Sequence, residues 1–319
     1  MSRWVGGGLV LLLLLVFPLV FTLPFPRHVM IMIFLYAMLA QAWNILAGYC
    51  GQISLGHAIF FGLGAYTSTA LVKEAAVSPW IGMVAGAGVA VAVSQAIGFP
   101  VFRLRGHYFA IATIALGEIV QTLFINWDWM GGARGIFIPL QRTDSVLHFQ
   151  FHASKQNYYY IALAMLGLAL VVTRWLERSR AGFYFRAIRE DQDAAASLGV
   201  NVARSKQFAI AISAGLTALG GTFYAQYILF IDPESVFPLS LSILICLVAV
   251  LGGVGTLWGP LLGAAVLVPL SEGTRVLLGG GGKALDLLIY GGLIVLMSVA
   301  QPGGLIALLG RARQLGSRA

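Results

Sequence analysis

The residues of this sequence that could do chemistry are few, and none of them has a catalytic spacing. The sequence contains no His-Glu-x-x-His pair, no Gly-x-Ser-x-Gly turn and no Cys, His, Asp and Glu cluster at metal-ligand spacing. The nearest imitation of a phosphate-binding loop is the glycine run 279–282 with Lys283, but Ala284 follows where Ser or Thr would be needed. We therefore predict that the chain has no catalytic residue, no metal site and no cofactor of its own.

Glu118 is the carboxylate that we place at membrane depth inside a span, whereas Glu272 and Asp286 are assigned to the external side. A charged side chain at that depth costs about 2.5–3.5 kcal/mol or more, so it requires a partner or a water-filled cavity. Glu118 could line a translocation path, or it could pair structurally with an arginine or a hydroxyl group. A carrier driven by protons or sodium would more often have several such groups, so their scarcity indicates that the energy for transport comes from elsewhere.

Clustered small and polar residues open the apolar segment 52–72. They could line a path near its inner end, or they could allow close helix packing through glycine and interhelical hydrogen bonds. These candidate path residues are Gly51, Gln52, Ser54, Gly56 and His57.

The polar stretch 176–206 predicts a short amphipathic helix over 186–198, ending at Gly199 as a natural C-cap. Such a helix is too polar to span a membrane and too apolar to float free, so it needs lipid headgroups or a protein groove as a partner surface. Its predicted apolar contacts are Ala187, Ile188, Ala194, Ala195 and Leu198.

The elements that position these groups are predicted to be membrane-spanning helices. Of the 319 residues, 59% are hydrophobic and only 10% are charged, whereas soluble domains have about 25% charged residues. A span requires roughly 20 apolar residues, and ten segments meet or approach that length. The predicted spans are 5–23, 28–47, 52–72, 79–99, 108–125, 157–175, 207–229, 239–253, 259–278 and 285–301.

The distribution of charge predicts the orientation of the bundle. The stretch 174–206 is rich in arginine and is expected in the cytoplasm, which places both termini inside and most acidic loop residues outside. The segments 52–72 and 239–253 could be broken or re-entrant, and the charge rule requires that both cross or that both fail. We predict an all-α polytopic bundle of eight to ten spans in a single permease domain over 1–319, with a coupling segment over 176–206.

Several motifs resemble those of branched-chain amino acid permeases of the ABC importer family, and especially the LivM-type subunit. Asp193-Ala194-Ala195, three residues and then Gly199 are similar to the Glu-Ala-Ala-x-x-x-Gly loop of ABC importer permeases, with Asp in place of Glu and no recognisable Ile-x-Leu-Pro continuation. The other matching motifs are GYCGQISLGH at 48–57, GLGAY at 62–66, LRGHYFA at 104–110, ALGE at 115–118, RAIRED at 186–191 and GGVGT at 252–256 with Gly259-Pro260.

The resemblance implies a transport subunit of the bacterial inner membrane. Its partners would be two ABC ATPase subunits that use ATP and Mg²⁺, a second homologous permease of the LivH type and an external substrate-binding protein. The resemblance also implies a coupling helix that docks into an ATPase subunit. The residues expected in that contact are Arg186, Arg189, Glu190, Asp191, Asp193, Ala194, Ala195 and Gly199.

Other functions stay open at this point. An ABC permease for urea, an amide or a sugar would share the coupling mechanism, and a stand-alone secondary transporter or a structural scaffold would not need it. The net charge of +8 does not indicate nucleic acid, because the basic residues lie beside hydrophobic segments that suit a membrane.

Overall fold

The computed structural model describes residues 12–21, 23–140, 144–151, 154–277, 291–292 and 303–307. In this part of the chain nearly every element is an α-helix, and six helical stretches are long and apolar enough to cross a membrane. A multi-pass helical membrane protein is therefore confirmed. The six stretches are Pro24–Tyr49, Pro79–Val101, His107–Ile125, Gln156–Arg178, Val202–Ile228 and Pro233–Gly252.

The helices and strands follow one another with short connections, apart from the segment between α5 and α6. Helix α1 covers 12–20 within the described residues, and α2 continues into one π-helical turn over Ile45–Tyr49. The remaining elements are α2 Pro24–Asn44, α3 His57–Ala75, α4 Pro79–Val101, α5 His107–Ile125, β1 Ile136–Phe137, α6 Gln156–Arg178, α7 Arg180–Glu190, α8 Gln192–Ser197, α9 Val202–Ile228, β2 Phe230–Ile231, α10 Pro233–Val236, α11 Leu239–Gly252 and α12 Gly259–Leu277.

The two doubtful segments have different outcomes. The segment predicted over 52–72 does not begin as a helix, because 51–56 is irregular and α3 starts at His57. The segment predicted over 239–253 is helical as α11, and with the preceding α10 it forms a stretch of 20 residues that is long enough to span. The predicted span 285–301 lies outside the described residues apart from 291–292, and residues 5–11 and 22 of the predicted span 5–23 also lie outside them.

Helix α3 lies in the middle of the bundle, packed against α4 and α9. Two glycines bring backbones together here: a side chain on Gly64 would overlap the carbonyl of Ala218, and one on Gly221 would overlap the carbonyl of Phe61. Membrane helices associate through such close packing, because lipid tails are as apolar as the helix surfaces. The small residues of the sequence therefore set the distance between α3 and α9.

The segment between α5 and α6 is tied to the turn after α9. Strand β1 pairs with β2 in antiparallel register, with Ile136 opposite Ile231. The following turn contains α10, where the backbone N–H of Asp232 donates to the Ser235 hydroxyl at 3.3 Å. The turn around Pro233 is thus ordered, and we call this side of the bundle the β1–β2 end. Cys50 and Cys246 are both free thiols.

Candidate coupling site

The polar segment after α6 folds as two short helices, α7 and α8, where the sequence pattern predicted one helix over 186–198. That prediction is wrong at Asp191, whose backbone is extended and whose carboxylate accepts hydrogen bonds from the N–H groups of Asp193 and Ala194 at 2.8 and 2.9 Å. An aspartate that caps a new helix competes with continuation of the old one. The side of the bundle that carries these two helices is the α7–α8 end.

Helix α8 ends at Ser197, and Gly199 closes the turn that follows it, in the capping role that the sequence predicts. Gly199 has a φ of +85°, and its N–H donates to the carbonyl of Ala196 at 2.9 Å. The N–H of Val200 reaches back to the carbonyl of Ala195 at 3.1 Å, which completes a Schellman motif. A side chain at Gly199 would meet open space, so this glycine is required by backbone conformation and not by contact with its own chain.

One face of the α7–α8 pair is held against the bundle. Ile188 and Ala195 are 1% and 2% exposed. The Asp193 carboxylate accepts two hydrogen bonds from the Arg105 guanidinium, at 2.8 and 3.0 Å, which tie α8 to the loop between α4 and α5. The guanidinium lowers the pKa of the Asp193 carboxyl, and the carboxylate raises the pKa of Arg105. Asp193 is thus already engaged with its own chain.

A further tie joins α8 to α9. The Lys206 ammonium is buried and donates to the side-chain oxygen of Gln192 at 2.9 Å, and it lies 5.8 Å from the centre of the Phe102 ring. A lysine with its charge this far from water requires such polar and aromatic partners. Helix α8 is therefore connected directly to the first turns of a membrane-spanning helix.

The opposite face of α8 is open. Leu198 exposes 85% of its surface, and Ala194 and Gly199 beside it are exposed as well. The predicted apolar face is thus divided, because Ile188 and Ala195 turn inward while Leu198 contacts no core. This face of α8 is therefore accessible to a partner from outside the chain.

The basic and acidic residues of α7 have different surroundings. Arg186 donates to the carbonyl of Glu177 at 2.9 Å and lies 4.8 Å from the Phe183 ring, so it closes the end of α6. Arg189 donates to the carbonyl of Gly48 at 3.0 Å and also pairs with Glu190 at 2.9 Å. Arg186 and Arg189 therefore join the segment to the spans, while the Glu190 carboxylate is exposed.

Arg189 brings the coupling residues and the candidate path residues together. Gly51 has a φ of +73°, and a Cβ built on it would lie 3.0 Å from the Cα of Arg189. The backbone of α7 therefore rests directly on the turn between α2 and α3. The hydroxyl of Tyr49 in the same turn donates to the Glu177 carboxylate at 2.7 Å. The coupling residues and the candidate path residues form one continuous structure at the α7–α8 end.

The irregular stretch 51–56 and the first residue of α3 are largely packed inside the bundle. Gln52, Ser54 and His57 are 4%, 2% and 0% exposed. The His57 ring hydrogen-bonds the Ser213 hydroxyl at 2.8 Å, and that hydroxyl donates to the carbonyl of Ala42 at 2.7 Å. These contacts are the interhelical hydrogen bonds that the packing interpretation predicts. A path-lining role for these residues stays a prediction.

Glu118 is not part of that packed stretch. It is exposed on α5, the least buried of the six candidate spans, beside Ile119 and Leu123. Thr113 on the same helix faces inward, where its hydroxyl accepts a hydrogen bond from the Leu55 N–H at 3.0 Å. The carboxylate therefore lies on a surface of this chain that a partner or a wet path would have to cover.

Sequence reasoning missed Arg105, Lys206 and Asn44 as members of this site. The Asn44 side chain donates to the carbonyl of Thr256 and accepts from the N–H of Gly255, at 2.9 and 2.7 Å, which fixes the turn between α11 and α12. A polar amide near the end of an apolar span was the available signal for Asn44. Among the residues that the structure describes, no group of His, Cys, Asp and Glu could hold a metal ion.

Comparison with known proteins gives consistent matches. Residues 26–298 match the family described as the permease component of the branched-chain amino acid transport system. The chain is 32% identical to the permease protein LivM of Escherichia coli, with 85% of this chain and 68% of LivM covered. It is 27% identical to Escherichia coli LivH over 73% of this chain and 79% of LivH, and 25% identical to Pseudomonas aeruginosa BraD over 85% and 91%. No solved structure matches the chain.

Proposed function

Because the chain belongs to the branched-chain amino acid transport permease family, we propose that it is the LivM-type subunit of an ATP-driven amino acid importer. As a member of that family with six candidate spans, it is a multi-pass protein of the inner membrane. The observation that carries the proposal is the α7–α8 pair, which is anchored to the spans on one face and presents Leu198 on the other.

In this proposal the α7–α8 end faces the cytoplasm and the β1–β2 end faces outward. The arginines of 174–206 favour that orientation. The proposal also includes both termini inside, about ten spans and one permease domain over 1–319. The β1–β2 end then meets the substrate-binding protein. The exposed face of α5 with Glu118 meets a homologous LivH-type permease, so that the substrate path lies between the two chains.

The coupling step is mechanical. ATP and Mg²⁺ are bound by two ATPase subunits, and one of them receives the tip formed by Leu198 and Gly199. When the ATPases close, α8 moves with them, because Leu198 is buried in the groove of the partner. Arg105 and Lys206 transmit the movement to α5 and α9, and Arg189 transmits it to the turn between α2 and α3. The residues of segment 186–199 thus serve coupling in two ways. Some contact the ATPase, and others anchor the segment to the spans.

Reconstituted uptake tests the proposal. The chain is co-purified with its ATPases, the second permease and the binding protein, placed in liposomes with ATP inside, and assayed with labelled leucine, urea and a pentose. We expect leucine uptake that requires ATP. Uptake of urea or the pentose alone would reassign the substrate class, and uptake by this chain alone under an ion gradient would refute ATP-driven import.

A further inference from the structure

A groove runs along the outside of the bundle between the last turns of α4 and the first turns of α9. Its volume is about 550 Å³, and its walls are mainly apolar. Phe99 and Phe208 line it and expose 69% and 41% of their surface. Both helices are candidate membrane spans, so the floor of the groove lies at a depth where acyl chains are the surrounding solvent.

Two arginines stand at the end of the groove that is nearest to α7 and α8. Arg103 and Arg204 are exposed, and neither has a carboxylate partner within 4.0 Å among the residues that the structure describes. The nearby Arg105, in contrast, is paired with Asp193. The Arg103 guanidinium lies 5.4 Å from the centre of the Phe99 ring, which holds it over the groove. The groove thus combines an apolar floor with two uncompensated positive charges at one end.

We infer that this groove binds an anionic phospholipid of the cytoplasmic leaflet. The phosphate lies between Arg103 and Arg204, and an acyl chain follows Phe99 and Phe208 towards the membrane centre. Guanidinium groups match phosphate oxygens in charge and in geometry. The cytoplasmic leaflet is the source, because the proposed orientation places these arginines on the cytoplasmic side, where anionic headgroups attract basic residues near a span.

An acidic surface of the ATPase subunit is the competing occupant. It would account for the charges of Arg103 and Arg204, but it would leave the exposed rings of Phe99 and Phe208 without a purpose at membrane depth. A phospholipid combines a negative charge with an apolar chain in one ligand. The lipid also explains the pairing of exposed Phe99 with Arg103 at the end of α4, which neither the coupling site nor the substrate path uses.

Native mass spectrometry of the full chain tests the inference. The purified protein is titrated with phosphatidylglycerol and with phosphatidylcholine of identical acyl chains. We expect the double variant Arg103→Gln/Arg204→Gln to bind phosphatidylglycerol about thirtyfold more weakly, the factor for two basic residues at a membrane surface. The matched control is Arg178→Gln/Arg180→Gln, which removes two exposed arginines outside the groove and should leave binding unchanged.

Additional arms separate the other occupants. Phe208→Ser should weaken binding of both lipids, and Arg103→Lys/Arg204→Lys should retain most of the preference for phosphatidylglycerol. Equal losses in the groove variant and the control variant would overturn the inference, as would complete displacement of the lipid by millimolar inorganic phosphate. Normal lipid binding by Arg103→Gln/Arg204→Gln together with loss of the ATPase from the complex would assign the surface to the ATPase instead.

Discussion

Replacing Leu198 by serine tests whether the open face of α8 is the ATPase contact. Full burial of a leucine side chain stabilises by about 1.5–3 kcal/mol relative to exposure. Leu198 is 85% exposed, so burial of that exposed fraction in a groove of the partner contributes about 1.3–2.5 kcal/mol. Since about 1.4 kcal/mol is a factor of ten in affinity, we expect Leu198→Ser to weaken ATPase association by about 10- to 60-fold.

The assay measures binding of a fluorescently labelled ATPase to nanodiscs that contain this chain and its partner permease. The matched control is Leu140→Ser, which removes a leucine of 69% exposure that belongs to the β1–β2 end and cannot reach the ATPase in the proposed orientation. Thermal unfolding of the permease should be unchanged in both variants, because neither side chain is buried. An affinity change of less than about twofold in Leu198→Ser would show that this leucine is not buried by the ATPase.

Four further predictions concern packing, anchoring, pH dependence and the path. Gly221→Val should destabilise the folded permease by about 1–3 kcal/mol or more, because the new side chain would overlap the α3 backbone. Gly167→Val should not, since its Cβ meets open space. The melting temperatures of both variants in detergent test this. Arg105→Asp should lower coupled uptake and Asp193→Arg in the same chain should restore it, and failure of rescue would mean that the pair does not anchor α8. Because Arg105 lowers the Asp193 pKa, the pair is intact above the ordinary carboxyl value of about 4 and is lost only as pH falls through the lowered pKa, so wild type and the charge-swapped variant should show the same pH profile of ATP-driven uptake between about pH 6 and 8. Glu118→Gln should slow uptake about tenfold, the effect of losing one charged hydrogen bond, with ATPase affinity unchanged, and full uptake would remove Glu118 from the path.

Local features of the coupling segment were predictable from the sequence, and long-range ones were not. Gly199 was identified as a helix end because glycine after an apolar helix favours a positive φ, and the structure has that conformation. The break at Asp191 was missed, since an aspartate inside an amphipathic pattern looks like a surface position until its carboxylate is seen to cap two N–H groups. Arg105 and Asp193 are 88 residues apart, so only the folded bundle reveals their pairing.

The same distinction applies to the spans. Apolar length and charge identified α4, α5, α6 and α9 to within a few residues, because lipid exposure requires continuous apolar helices. Segment 52–72 was misplaced at its start, because the backbone groups of Gln52 and Ser54 bond to α2 and the π-helical turn that continues it, which no local pattern reveals. The carbonyl of Ser54, for example, accepts a hydrogen bond from the Trp43 indole at 2.7 Å. Buried irregular backbone is tolerated where neighbouring helices supply such bonds.

The contact between Gly51 and Arg189 determines how much of a displacement of α7 reaches the turn between α2 and α3. A side chain at an interface can change rotamer and absorb a shift of an ångström, which introduces slack between moving parts. Here a backbone touches a backbone, because the Cβ position of Gly51 lies only 3.0 Å from the Cα of Arg189, and packed backbone has no rotamer to yield. A displacement of α7 towards the bundle is therefore transmitted almost completely to the turn between α2 and α3, because this contact is stiff.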